Sequence, residues 1–221
     1  MIRKTLSASL LALAVAAPFA QAYEAGDIIV RAGAITVDPQ EKSGTIKLDG
    51  ANSGLKASLD SDTQLGLNFA YMVTDKIGVE LLAATPFQHT VSVKGLGTLG
   101  DVKHLPPTLS VIYYPLDKQS AVQPYVGLGV NYTTFFSEDL TSEMKGLGFS
   151  SLELKDSWGI AAQVGADFML TDNLMLNAQL RWIDIDTEAT AKGPTALNVG
   201  KTKVNVDIDP LVYMVGLGYK F

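Results

Sequence analysis

From residue 28 onward the dominant pattern along the chain has period two. Leu65, Leu67, Phe69, Tyr71 and Val73 alternate with Gln64, Gly66, Asn68, Ala70 and Met72, as expected of a β-strand with one apolar face. The alternation recurs at 28–34, 77–83, 109–113, 126–132, 158–168, 174–182 and 211–221, which predicts eight strands. Thr74-Asp75-Lys76 and Leu170-Thr171-Asp172-Asn173 are tight-turn chemistry, and 115–123 is a somewhat longer turn. The links at 39–61, 88–106, 136–156 and 187–202 are instead long and rich in Gly, Ser, Asp, Glu and Lys. Short turns therefore fall at one end of the strands and long loops at the other.

Alternation alone fits two barrels, one apolar outside and set in a membrane, the other apolar inside and soluble. The second face decides between them. It consists of Gln64, Gly66, Asn68, Gly78, Gly127, Gly129, Asn131, Gln163, Gly165, Asn177 and Gln179, too poor in Lys and Glu for a solvent-facing surface. Small, hydrogen-bonding side chains suit the narrow interior of eight strands. Strands can cross a bilayer only in a closed sheet, with about 9 to 11 residues per crossing. Tyr71, Tyr113, Tyr132, Trp158, Phe168, Trp182, Tyr213, Tyr219 and Phe221 gather toward strand ends, where aromatic girdles belong. The expected class is all-β, an eight-stranded antiparallel transmembrane β-barrel. Its closing strand ends on "VYMVGLGYKF" with no polar tail, because that end lies at the membrane edge.

Composition sharpens the picture. The 221 residues are 47% hydrophobic and 18% charged, yet nothing past residue 22 is long and apolar enough for a spanning helix. Arg3 and Lys4, the apolar run from Leu10 to Ala17, and Ala20-Gln21-Ala22 form a secretory signal pattern. We therefore expect a cleavable signal at 1–22 and a barrel domain at 23–221. The formal net charge is −6, and it becomes more negative once Arg3 and Lys4 leave, which disfavours nucleic acid as a partner. With no cysteine in an exported chain, stability must come from burial and backbone pairing, and zinc–thiolate sites are excluded.

The inner face carries the candidate chemistry. Arg31, Glu80, Asp167, Arg181 and Lys220 fall in the short-turn half or near the middle. In a narrow lumen they must pair or lose several kcal/mol each to desolvation, so a salt-bridged polar plug is expected. Toward the long-loop end the same face turns apolar at Ile35, Val37, Leu82, Ala84, Ile183, Ile185 and Val212, although Asn131 and Thr133 break the trend. An apolar cup above a polar plug implies that cargo leaves sideways. Pro86, Pro106 and Pro107 flank the loop between the third and fourth strands, and proline has no amide hydrogen for a ladder. They either form a lateral opening or simply end the strands and stiffen the loop.

Other candidates carry less. His89 and His104 bracket that same loop, but two histidines without a third ligand specify no metal, and loop polarity is the plainer reading. Ser92 and Asp101 lie nearby without any nucleophile motif, so no catalytic residue is expected. "GLGTLG", Gly95 to Gly100, has the wrong spacing for a phosphate loop. Asp139 and Glu143, at helical spacing within 137–147, predict a short surface helix.

Several segments are similar to the OmpW family of small outer-membrane proteins: "VRAGAITVDP", "GVELLAATPFQH", "KHLPPTL", "QPYVGLGVNYTTFF", "LKDSWGIAAQVGADFML", "DIDT" and "DPLVYMVGLGYKF". They span nearly the whole chain after the signal; the first and fourth loops match least. The resemblance implies short periplasmic turns, periplasmic termini, long extracellular loops, and passage of small hydrophobic molecules into the bacterial outer membrane. Small amino acids are a second cargo that it implies. Tyr219 and the terminal Phe221 resemble the C-terminal signal read by the barrel assembly machinery. Outer-membrane lipids and small hydrophobic substrates are the other expected partners, with no cofactor. A receptor or adhesion surface built on the loops is the competing function.

Overall fold

The eight alternating segments form eight strands: β1 (Ile28–Asp38), β2 (Asp62–Met72), β3 (Ile77–Ala84), β4 (Thr108–Tyr113), β5 (Val122–Leu140), β6 (Ser157–Met169), β7 (Leu174–Ile183) and β8 (Leu211–Lys220). The computed structural model describes residues 22–40, 42–43, 46–48, 51–93, 97–194 and 200–221. The expected signal apart from Ala22, and part of Gly95–Gly100, lie outside them. Each strand pairs antiparallel with its chain neighbours, and β1 pairs with β8 from Ile29↔Lys220 to Asp38↔Leu211. Closure satisfies both edges, the condition for crossing a bilayer. Phe221 sits inside the ladder: its amide donates to the Ile28 carbonyl at 2.8 Å, and Ile28 returns the bond at 3.4 Å. The last residue is thus held by backbone pairing.

Local chemistry sets the short turns. The hydroxyls of Thr74 and Thr171 accept from the amides of Ile77 and Leu174, each at 2.9 Å. At Gly33↔Gly216 two glycines face across the β1–β8 seam. A Cβ on Gly33 would lie 2.2 Å from the Val215 carbonyl oxygen, so the close approach requires glycine.

The exposed face is the apolar one. Leu128 is 72% exposed and Trp158 75%, and Val111, Val126, Val130, Ile160, Val215 and Leu217 join them in an unbroken band. Tyr71, Tyr113, Phe168, Tyr219 and Phe221 ring the short-turn end, and Trp158, Trp182 and Tyr213 the other. A surface of this kind is stable against lipid.

The long links differ most from expectation. They are largely strand. Above the barrel, β5 continues to Leu140 and pairs with Gly97–Leu105, which pairs with Phe87–Val93 and then Ala57–Leu59. A second sheet joins Ser151–Leu154, Asp186–Lys192, Thr202–Asp207, Lys47–Leu48 and Ala51–Asn52. The helix expected over 137–147 shrinks to Ser142–Gly146, with the Thr141 hydroxyl capping the Met144 amide. Asp139 belongs instead to β5, opposite Asp101, because the strand keeps its ladder partner through Leu140.

Candidate functional site

The interior is stacked in layers. At the short-turn end Ile29, Met72, Ile112 and Met175 pack around Tyr23, Tyr114 and Tyr125. Directly above them lies an ion-paired layer. Arg31 from β1 grips Asp167 from β6 with two hydrogen bonds, Nε to Oδ1 at 3.0 Å and Nη2 to Oδ2 at 2.6 Å. Its Nη1 reaches Glu80 of β3 at 3.3 Å. Arg181 from β7 donates to the other Glu80 oxygen at 2.7 Å and to Gln163. Two cations and two carboxylates, nearly inaccessible to solvent, therefore balance within one layer.

Tyrosines and amides complete it. Tyr23 and Asn177 donate to Asp167 at 2.6 and 2.8 Å, and Arg31 donates to the Tyr114 hydroxyl at 2.7 Å. Tyr125 lies beneath the Arg31 guanidinium, 5.4 Å from its ring centre. A Cβ on Gly165 would strike that ring at 2.5 Å, so the glycine makes room for the tyrosine. Gln163 has the inward phase that the alternation gives it, whereas Tyr23, Tyr114 and Tyr125 are absent from the pattern-based candidates. Their phase could have found them: Tyr114 and Tyr125 share the inward parity of Ile112 and Gly127. Lys220 is placed apart from this layer, at the short-turn rim, with Nζ 2.7 Å from the Ala22 carbonyl and 4.0 Å from Asp27.

Above the charges the interior becomes hydrocarbon. Ile35, Val37, Leu82, Ile183, Ile185 and Val212 pack in one cluster with Phe87 and Met214, and Ala84 lies against it. The two upper sheets then enclose an apolar cavity of about 610 Å³ including its open mouth, walled by residues such as Leu99, Leu152, Val204 and Val206. A second, smaller cavity adjoins it, with Leu59, Leu154 and Ile208 lining both.

The wall itself lapses beside this region. The β3–β4 ladder runs from Ile77↔Tyr113 to Leu82↔Thr108 and stops; the two arms pair again only at Phe87↔His104. Pro86 on one arm and Pro106 and Pro107 on the other stand in the interval. The outer flanks stay joined, Thr85 donating to the Leu65 carbonyl at 3.0 Å and Tyr132 to that of Pro107 at 3.1 Å. Asn131 explains its own departure from the apolar trend. Its amide reaches the carbonyls of both Pro106 and Pro107 at 3.1 Å, while the Thr133 hydroxyl donates to its Oδ1 at 2.7 Å. Asn131 thus fixes the two prolines to β5 and leaves the gap between β3 and β4. Phe87, fully buried, stands behind it.

His89 and His104 do not supply loop polarity. Both are buried, with rings stacked at 4.9 Å.

A family model, the OmpW family, matches residues 24–221. The chain belongs to the OmpW family. Outer membrane protein W of Escherichia coli K12 is 43% identical over 220 residues, covering all of both chains. The crystal structure of the outer membrane protein OprG from Pseudomonas aeruginosa superposes with a TM-score of 0.89 at 60% identity, covering 91% of this chain and 98% of that one. Outer membrane protein AlkL of Ectopseudomonas oleovorans is 31% identical over 205 residues, 90% of this chain and 84% of its own. This OmpW-family chain is accordingly an outer-membrane β-barrel, its short turns periplasmic and its upper sheets extracellular.

Proposed function

We propose that the protein is a passive channel that takes small hydrophobic molecules from outside into its apolar mouth and releases them sideways into the outer-membrane lipids. One observation carries this reading. The ladder lapse between Leu82↔Thr108 and Phe87↔His104 lies beside the apolar interior and above a closed ionic layer. Passage straight down would mean opening pairs such as Arg31–Asp167 in a fully buried setting, at a cost of several kcal/mol per ion. Passage through the wall requires only side-chain movement where no backbone bonds join the two arms. Cargo therefore needs no polar groups to cross, and bulk water has no continuous route. The mouth, lined by groups such as Leu152, Ala189, Val204 and Ile208, favours hydrophobic cargo over small amino acids. In the same reading Tyr219 and Phe221, stacked edge to face at 4.8 Å, present the signal to the barrel assembly machinery.

Replacing Pro106 and Pro107 with Ala tests the seam. The new amides can complete the ladder, and uptake of a hydrophobic dye into proteoliposomes should slow severalfold at equal protein content. Unchanged uptake would refute release at this place.

A further inference from the structure

The two histidines are out of keeping with a purely hydrocarbon passage. His89 Nδ1 lies 2.6 Å from the Asp60 carbonyl oxygen. A carbonyl only accepts, so Nδ1 carries the hydrogen, and in the neutral ring Nε2 is left as a bare acceptor. That Nε2 is buried with no protein partner. His104 Nδ1 is buried and unpartnered as well. Burial first, and then the neighbouring His89, push the His104 imidazole down to about 3, so this ring is neutral at physiological pH. Both rings line the smaller cavity, whose other walls include Val37, Leu59, Val102 and Phe135. Leucine or phenylalanine would fill these positions without stranding polar atoms, which carry a desolvation cost.

Resting on the proposed passage, we infer that this cavity is a selectivity subsite for apolar molecules bearing one hydroxyl group, such as phenols and fatty alcohols. The hydroxyl hydrogen goes to His89 Nε2. With that hydrogen on His89, the same oxygen accepts from His104 when its Nδ1 carries the ring hydrogen. As it stands the cavity has room for about one water-sized group, so the hydroxyl occupies it and the hydrocarbon remainder displaces Leu59, Leu154 and Ile208 on the way to the larger cavity.

The chain has only two histidines, so ¹⁵N-histidine labelling of tag-free protein in nanodiscs observes both rings directly. The probes are 2-naphthol and its methyl ether, which differ in the donated hydrogen, each corrected for partition into empty nanodiscs. Naphthol should bind about tenfold more tightly than the ether, the worth of one buried hydrogen bond. It should also move the unprotonated ring nitrogen of His89 upfield, while the ether leaves it in place. His89→Leu should abolish the preference and keep the affinity for the ether. Equal binding of both probes without a nitrogen shift would overturn the subsite and leave hydrophobic passage standing. Binding of neither would remove both. Should His89→Leu fail to fold, the nitrogen shift in the unaltered protein decides alone.

Discussion

The lower and upper halves of this barrel solve the same problem in opposite ways. Each must fill a lumen too narrow to leave empty. The lower half fills it with Arg31, Glu80, Asp167 and Arg181, held by tyrosines and amides of β5, β6 and β7 together with Tyr23 and Tyr114. The upper half fills it with hydrocarbon, keeps cavities, and sits beside a wall whose ladder is interrupted. A buried ion-paired layer resists rearrangement, because displacing any member strands a charge. An apolar layer tolerates displacement and lodges a guest at little cost. In the proposed function this difference sets the direction of passage: inward from outside as far as the charges, then out through the wall.

The largest expected effect comes from breaking the lower layer. Glu80 serves both arginines, so Glu80→Ala leaves two buried cations short of a partner and should destabilise the barrel by about 3 to 5 kcal/mol. The urea midpoint in detergent micelles would show it. A barrel of unchanged stability would mean that the charges do not close the lumen.

Asn131→Ala should act more mildly, and in the upper half. It frees the carbonyls of Pro106 and Pro107 from β5, a loss of about 1 to 3 kcal/mol for buried groups left unpartnered. With the prolines loosened, uptake of a hydrophobic dye should rise while stability falls. Falling stability with falling uptake would mean that Asn131 supports the barrel without setting the seam.

The smallest effect tests whether the extracellular sheets are a built structure. Glu188 bridges Lys203 at 2.7 Å and Lys155 at 2.9 Å, and these lysines hold its carboxyl down to about 2. A carboxyl lowered on folding stabilises the fold above its unfolded value, near 4.3, and loses that contribution as pH falls toward 2. Glu188→Gln should therefore quicken proteolysis of the extracellular sheets at neutral pH. The unfolding midpoints of the two proteins should converge below about pH 2.

Much of this was legible in the chain because a barrel strand writes its two faces in alternation. Arg31, Glu80, Asp167 and Arg181 stand out as charges on an otherwise small and polar face, and Ile35 through Val212 as the apolar continuation of it. What escaped was set by contacts between distant segments. "LGDVKHL" and "DTEATAK" read as loop because their solvent-facing positions are charged or polar. They are strands only because β5 and Thr202–Asp207 lie alongside. The tyrosines escaped for another reason: the same residue type serves both lipid girdle and ionic layer, and only parity tells Tyr113 from Tyr114. Lys220 shares the inward phase, yet its position at the rim puts it beside Asp27, 4.0 Å away, in place of Glu80 and Asp167.

The central claim, that cargo leaves between β3 and β4, has a direct test in a chain without cysteine. Thr85→Cys combined with Leu105→Cys places a thiol on each arm of the interval and keeps every proline, and a disulfide would tie the arms reversibly. Dye uptake into proteoliposomes is then measured with the bond formed, as confirmed by gel mobility, and again after reduction. Uptake should fall toward the protein-free rate when the arms are tied and return when the bond is reduced. Uptake that is unchanged with the bond fully formed would contradict that claim.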